Sequence, residues 1–312
     1  MYTTEYTCKV ITPMLIHGAD KKTPELRAPS IKGAMRFWWR VVNASICNEK
    51  LNEREQIIFG GINNNPLKSN FSINVEIDEK KKLINSYSPV PHKNSNFMVF
   101  GFSVGTEFTV RFSVNNKVID KIHENGKIDQ ICGEKRLEEV ENVFELLALC
   151  GGLGMRSRRG FGAFSIIKKN KKEFNKQVDI KHIKELINNI HSANRASTGS
   201  GIPVKTGLIS IRLGRCFDNV KESLEHIGNC SHNARNINRN NNIQLEDIDD
   251  ALGHIRNGRL ASPIIVSVFK TRLNKYKIII TTLRSVDTSD SNIKEKSTRI
   301  QTIQNSFIND LI

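Results

Sequence analysis

The stretch KRLEEVENVFELLALCGGLGMRSRRGFGAFSIIKK, residues 135–169, passes from helix to glycine-rich loop to strand in one run. Leu137, Val140, Phe144 and Leu147 recur every three or four residues, which places them on one helical face. Gly151-Gly152 ends that helix, and AFSIIKK has the β-branched and aromatic content of a strand. Working back, TEFTVRFSV alternates through Phe108, Val110, Phe112 and Val114, and FSINVEID through Phe71, Ile73, Val75 and Ile77. A period of two over this length predicts two half-buried strands. The polar, proline-bearing residues 79–95 between them read as a loop.

Nearer the N-terminus, residues 5–16 (EYTCKVITPMLI) are a further strand. In RAPSIKGAMRFWWRVVNASIC, residues 27–47, Pro29 and Ser30 start a helix with Ser30 as its cap. Ile31, Met35, Trp38, Val42 and Ile46 form its core-facing stripe, while Lys32, Arg36 and Arg40 line up on a neighbouring face. A second helical piece, LNEREQIIF, stops at Gly60-Gly61. The order is strand, helix, strand, strand, helix, strand, the βαββαβ ferredoxin-like unit.

The second half predicts a helix at 179–191, a Ser/Gly loop at 192–203, a strand at 206–213 and a helix at 217–228. An Asn-rich loop follows at 229–242, then a helix at 246–256, strands at 262–271 and 276–284, and a last helix at 293–311. The expected fold is α+β, with two ferredoxin-like (RRM-like) domains at 1–170 and 171–312, the second modified.

The chain carries 47 Lys/Arg against 32 Asp/Glu, a formal charge of +15. The excess is shared: 25 cations against 18 acids up to residue 170, and 22 against 14 beyond it. Folded surfaces in both halves are therefore expected to meet a polyanion. Three windows keep cations and exclude acids. Glu25 to Glu49 holds Arg27, Lys32, Arg36 and Arg40. Glu145 to Glu173 holds Arg156, Arg158 and Arg159. Asp250 to Asp287 includes Arg256, Arg259 and Lys270. A phosphate backbone selects such windows.

The six cysteines (8, 47, 132, 150, 216, 230) form no CxxC pair and read as buried or idle thiols in a reducing compartment. His226, Cys230 and His232 have metal-ligand chemistry but lack an obvious fourth ligand, so they read as solvated polar residues. No cofactor is expected. No apolar run approaches the roughly 20 residues of a bilayer span, and MYTTEYTCKV lacks the layout of a secretion signal. A cytoplasmic protein is expected.

Two segments carry the chemistry. In TPELRAPSIKGAMRFWWR, residues 23–40, a loop feeds a helix N-terminus whose free N–H groups and dipole favour phosphate. In GGLGMRSRRGFGAF, residues 151–164, glycines let the backbone approach a ligand while three arginines fork onto phosphates. Arg159-Gly160-Phe161-Gly162 echoes the start of the RNP1 signature, which then breaks off at Ala163. A third segment, GRLASPIIVSVFKTR (258–272), adds Arg259 before a Ser-Pro turn.

Together these segments resemble the RAMP superfamily of CRISPR effector proteins, and within it the first RAMP subunit of the type III-B (Cmr) complex. The residues responsible are Leu26-Arg27-Ala28-Pro29-Ser30-Ile31-Lys32-Gly33, Arg36-Phe37-Trp38-Trp39-Arg40, the loop 151–162, and Arg259-Leu260-Ala261-Ser262-Pro263. The resemblance implies an RNA-binding subunit that caps the repeating backbone subunits and contacts the guide 3′ portion, the target RNA, or both. The partners it implies are CRISPR RNA, target RNA and other RAMP subunits. Carried onto this chain, the RNA-contacting candidates are Arg27, Lys32, Arg36, Arg40, Arg156, Arg158 and Arg159. Phe161 is a candidate for stacking on a base or for anchoring the loop.

Other members of the superfamily cleave RNA through a histidine near the first helix or a metal-bound loop aspartate. His17 and Asp20 are the counterparts to weigh here, with Glu25 alongside. A lone histidine without a partner base and a short loop favour a non-catalytic subunit, the alternative being a RAMP endoribonuclease acting through His17 or metal-bound Asp20.

Overall fold

The computed structural model describes residues 1–20, 22–46, 48–62, 66–93, 96–123, 127–174, 179–192, 207–241, 243–253, 260–284 and 291–312. Arg256, Arg259, Cys47 and most of the Ser/Gly stretch 192–203 lie outside the described residues.

The expected order of strands and helices is present in the first half. β1 (Tyr2–Val10), α1 (Ala28–Val42), β4 (Phe71–Ile77), β7 (Glu107–Val114), α3 (Gly133–Cys150) and β10 (Phe164–Lys169) follow one another, interrupted by smaller elements. Their antiparallel sheet runs β10-β1-β7-β4, extended past β10 by β11 (Lys172–Glu173). β1 turns Thr4, Tyr6, Cys8 and Val10 inward, as the two-residue period of a pleated strand requires. Phe71 is buried, and Ile73, Val75 and Ile77 pack against the same core half-buried.

α1 begins one turn earlier than its sequence suggests. Arg27 is the capping residue in extended backbone, Pro29 falls at the second helical position, and no side chain caps the end, so Ser30 lies inside the first turn. Both tryptophans are buried. Trp39 donates its indole N–H to Glu139 Oε1 at 2.9 Å, and Glu139 also pairs with the buried Arg136, itself 2.9 Å from Asp120. A polar network of this kind survives burial only with its partners in place. Tyr6 reaches Glu145 (3.1 Å), and burial beside that carboxylate pushes its hydroxyl far above the ordinary tyrosine range.

α2 (Asn48–Phe59) and the paired strands β2 (Gly61–Ile62) and β3 (Pro66–Leu67) follow α1. Residues 79–95 are not all loop. They contain β5 (Ile84–Tyr87), which pairs with β6 (Val99–Phe102) as an outlying hairpin. A further hairpin, β8 (Lys117–Ile122) with β9 (Ile128–Cys132), precedes α3.

In the second half, α4 (Ile180–Ser192) packs on α3 and α1. The sheet β12-β14-β13 is built from β12 (Leu208–Phe217), β13 (Ile264–Lys270) and β14 (Tyr276–Leu283). Strands β13 and β14 are apolar on both faces. Ile265, Phe269, Ile279 and Leu283 join the core shared with α3 and the first sheet. Ile264, Val266, Val268, Ile278 and Ile280 face a second core under α5 (Val220–Asn240), α6 (Leu245–Leu252) and α7 (Ser291–Leu311). The layers are thus sheet, helices, sheet, helices.

The Asn-rich residues 229–240 are the correction of most consequence, because they continue α5 as helix where a loop was expected. Ile227, Cys230, Ala234 and Asn238 recur at helical spacing and are buried. Packing on that stripe outweighs the poor helix propensity of asparagine. No helix among the described residues is long and apolar enough to cross a membrane.

Gly162 sits at φ +69, and a Cβ there would fall 1.9 Å from the Leu153 carbonyl oxygen. Gly162→Ala should therefore lower stability by at least about 1–2 kcal/mol, the cost of a left-handed residue. Urea unfolding followed by tryptophan fluorescence checks this, and an unchanged midpoint would show that the loop has room to give.

Candidate functional site

The glycine-rich loop 151–162 follows α3 and is pressed between the two sheets. Gly154 and Gly160 have φ of +89 and +84. A Cβ on Gly160 would meet Ile227 and Leu224 of α5, so only glycine lets the loop lie this close to that helix. Here the loop pairs with the edge of β13: Gly160 N–H donates to Val266 O (2.8 Å) and Val266 N–H to Arg158 O (3.2 Å). This makes a parallel bridge between Arg159 and Val266.

The three loop arginines take different roles. Arg159 donates to the carbonyls of Arg158 (3.0 Å), Ile264 (2.9 Å) and Leu252 (3.2 Å) and to Ser262 Oγ (3.0 Å). Its guanidinium also lies 5.2 Å from the Phe307 ring centre. Burial, with Arg235, Arg156 and Arg158 nearby, lowers its pKa to about 9, so it still carries its charge at neutral pH. No carboxylate among the described residues pairs with it. Arg158 donates to the Ser262 carbonyl and stacks 4.8 Å over Phe37 of α1. Arg156 is exposed, in left-handed backbone, and donates to the Pro89 carbonyl at 2.9 Å.

Two crevices open along this loop. One, of about 390 Å³, lies between residues 89–93 and α5; the other, of about 500 Å³, lies between the loop, α5, α6 and residues 260–262. Arg156, Arg159, Ser231 and Arg235 line both, so they form one continuous basic trough. Lys93 and Arg239 extend it at either end, and Asp249 is the one carboxylate among its described lining residues. Arg235 reaches Asp249 (3.4 Å) and the carbonyls of Leu252 and Gly253. Arg239 is exposed and has no ion-pair partner among the described residues. His92 also lines the trough, its Nδ1 buried without a hydrogen-bond partner and its ring centre 5.8 Å from that of His232. Burial, together with His232, Lys93 and Arg156, lowers the His92 pKa.

The cations of α1 are more engaged than the sequence implies. Arg36 and Arg40 have no acid nearby in the chain, yet Glu55 of α2 pairs with both, 3.3 Å from Arg36 Nε. Arg36 also donates to the Gly60 (2.7 Å) and Phe59 (3.2 Å) carbonyls, and Arg40 to Asn52 (3.0 Å). Lys32 lies half-buried 5.1 Å from the Phe71 ring centre, and burial lowers its pKa. Arg27 is exposed, 4.0 Å from Glu25. The Arg158–Phe37 stack brings the α1 segment and the loop together. Phe161 is buried with Leu15 and Leu224, where it anchors the loop beneath the first crevice.

Sequence reasoning missed Arg235 and Arg239 and read His232 as a solvated polar residue, because 229–242 read as a loop and not as a helix. The signal was present in the apolar spacing of Ile227, Cys230 and Ala234. His226 and Cys230 are not solvated: both bind the Asp310 carbonyl, holding α5 to the end of α7. No group of three or more His, Cys, Asp or Glu side chains able to hold a metal occurs among the described residues. His17 Nε2 lies 2.7 Å from the Phe100 carbonyl oxygen. Asp20 accepts from the Lys22 and Thr23 amides (3.0 Å each) and the Thr23 hydroxyl, which together lower its pKa to about 2.

A glycine-rich arginine loop after the second helix of a strand-helix-strand-strand-helix-strand unit, sealed against a second sheet, defines a class of protein. This chain belongs to the RAMP superfamily, whose family model matches residues 7–165. Within it, the chain is homologous to Cmr1 subunits of the type III-B Cmr complex. It is 28% identical over 190 residues to the CRISPR system Cmr subunit Cmr1-2 of Pyrococcus furiosus, covering 53% of this chain and 96% of that protein. It is also 28% identical over 176 residues to Cmr1-1 of the same organism, covering 54% of this chain and about half (48%) of that one. The fold matches the crystal structure of Pyrococcus furiosus Cmr1 in its apo form (TM-score 0.63, 18% identity, 97% of both chains). It also matches a chain in the cryo-EM structure of the type III-B Cmr-β complex bound to cognate target RNA and AMPPnP (TM-score 0.63, 14% identity, 99% of both).

Because Glu55 is the one carboxylate among the described residues that pairs with both Arg36 and Arg40, Glu55→Gln should lower the unfolding midpoint clearly, while Glu53→Gln on the exposed side of α2 leaves it nearly unchanged. Thermal unfolding of the two variants side by side reads the difference.

Proposed function

We propose that this chain is an RNA-binding, non-catalytic subunit of a type III-B (Cmr) CRISPR effector complex acting in antiviral defence. It contacts the guide 3′ portion, the target RNA or both, and caps the backbone subunits. On this reading it comprises two ferredoxin-like (RRM-like) domains, 1–170 and a modified 171–312, and works in the cytoplasm with CRISPR RNA and other RAMP subunits.

The observation that carries the reading is the basic trough where the glycine-rich loop meets α5 and α6. Lys93, Arg156, Arg159, Arg235 and Arg239 line it against one carboxylate. Arg159 spends its donors on neutral oxygens and brings an uncompensated positive charge to the floor. A ribose-phosphate strand laid here exchanges condensed counterions for these cations. Homology to Cmr1 subunits supplies the complex.

The non-catalytic part rests on His17 and Asp20. His17 is held on a main-chain carbonyl, and Asp20 spends both oxygens on its own turn. That geometry favours a structural role over the endoribonuclease alternative, which predicts RNA cleavage lost in His17→Ala or Asp20→Ala.

Purified protein should bind single-stranded RNA with affinity falling steeply as salt rises, and leave it intact. Each of Lys93→Ala, Arg156→Ala and Arg239→Ala should weaken binding and reduce the slope of log affinity against log salt by about 0.7. Salt-independent binding sinks the proposal.

His92 adds a pH dependence. Its lowered pKa leaves it neutral near pH 7, and a bound polyanion favours its protonated form. RNA affinity should therefore rise as pH drops below about 6.5, the ordinary imidazole value. His92→Gln should flatten that rise, as read by fluorescence anisotropy across pH.

A further inference from the structure

Beyond the trough, a third groove of about 590 Å³ lies between β6 and the segment that leads from β1 into α1. Phe97, Met98, Phe100 and Met155 line it at 60, 50, 56 and 42% exposure, an unusual concentration of large apolar side chains in solvent. Its wall is firm. β6 is bonded to Met14 in both directions (Met14 N–H to Phe102 O at 2.9 Å, Phe102 N–H to Met14 O at 3.0 Å). His17 holds the Phe100 carbonyl, and a Cβ on Gly101 would collide with Leu15 and the Met14 carbonyl. Phe102 is buried at the inner end of the strand, and Phe100, two residues back, emerges past the core into the groove.

The groove is continuous with the basic trough. Gly154 and Met155 line both, and only glycine at 154 allows this, since a Cβ would fall 2.5 Å from the Leu15 carbonyl oxygen. Met155 forms the saddle, its N–H donated to Leu15 O at 2.8 Å. The described lining of the groove holds Lys22 and His17 and no carboxylate. The side nearest the segment into α1 is thus aromatic with Lys22 at the rim, and the side nearest α5 is arginine-rich.

We propose that this groove is a base-stacking platform for unpaired nucleotides of the strand whose phosphates lie in the trough, with Phe100 as the stacking residue and Phe97 and Met98 flanking it. The inference rests on the RNA-binding reading and adds to it a substrate class: single-stranded, with bases turned toward the protein. A paired helix hides its base faces, whereas an unpaired strand offers a π-face every nucleotide and a phosphate between each. Aromatic surface joined without a break to a cation-lined channel has the chemistry of that polymer. A purely apolar protein partner would leave Lys22 and the saddle unexplained.

The test uses the full chain and single-stranded RNA oligonucleotides carrying one 2-aminopurine at successive positions. At one or two positions the probe should be strongly quenched on binding to wild type. Phe100→Ala should relieve that quenching and weaken affinity about 5- to 150-fold, the range for loss of one stacked base, with the salt slope unchanged. Phe100→Tyr should keep both quenching and affinity, whereas Phe100→Leu, apolar but without a ring, should lose quenching. Circular dichroism confirms that each variant is folded, as expected for a residue this exposed. Quenching unaffected by Phe100→Ala, with the salt slope intact, overturns the platform and leaves the trough standing. Loss of the salt slope in wild type removes both. RNA binding unaffected by Phe100→Ala, with loss of association to a purified partner RAMP subunit, overturns the platform in favour of a protein-docking face.

Discussion

Arg159 is the constraint on which the site depends. It lies in a loop of the first half, yet four of its contacts (Leu252, Ser262, Ile264 and Phe307) belong to the second. A guanidinium has five donors in a fixed planar fork, so one residue can hold several separated carbonyls at once. Lysine could not, being a single point of charge on a flexible stem. The glycines that follow it serve this placement: without Gly160 the loop could not approach α5, and without Gly162 it could not turn back into β10. Loop geometry, the join between the halves and a charge on the floor of the trough meet in one side chain.

The cations of the chain divide by their acceptors. Arg36 and Arg40 share the single carboxylate of Glu55, and Arg136 meets Glu139 and Asp120, so these side chains tie helices to their neighbours through ion pairs. Arg156 and Arg159 bond to main-chain oxygens, which fix the side chain and leave its charge. Placement with neutral acceptors leaves a cation's charge free to meet an anion, whereas pairing with a carboxylate offsets it. An acid-free window in the sequence does not reveal it, because Glu55 arrives from a different helix.

The alternating strands and the apolar stripes of α1 and α3 were legible because one face of each is buried and the other is wet. The regularity of Phe108, Val110, Phe112 and Val114 leaves little choice. The loop 151–162 was legible as a special backbone because glycine is the residue that left-handed φ demands. What escaped was set by long-range packing. Asparagine-rich residues 229–240 are helical because Ile227, Cys230 and Ala234 find a core, and the hairpin of β5 and β6 forms where local composition favoured a loop. Arg235 and Arg239 of the trough ride on the first of these and the exposed aromatics on the second, so the site was only partly visible from the residues that define it.

The bridge between Arg159 and Val266 also bears on how copies of the chain behave toward each other. β13 is an outer strand, and an outer strand that is apolar on both faces is a template for joining another chain edge to edge. Two main-chain bonds from the glycine-rich loop occupy that edge at its middle. The segment that gathers positive charge in the trough is therefore also the stopper that keeps this sheet from growing into its neighbour.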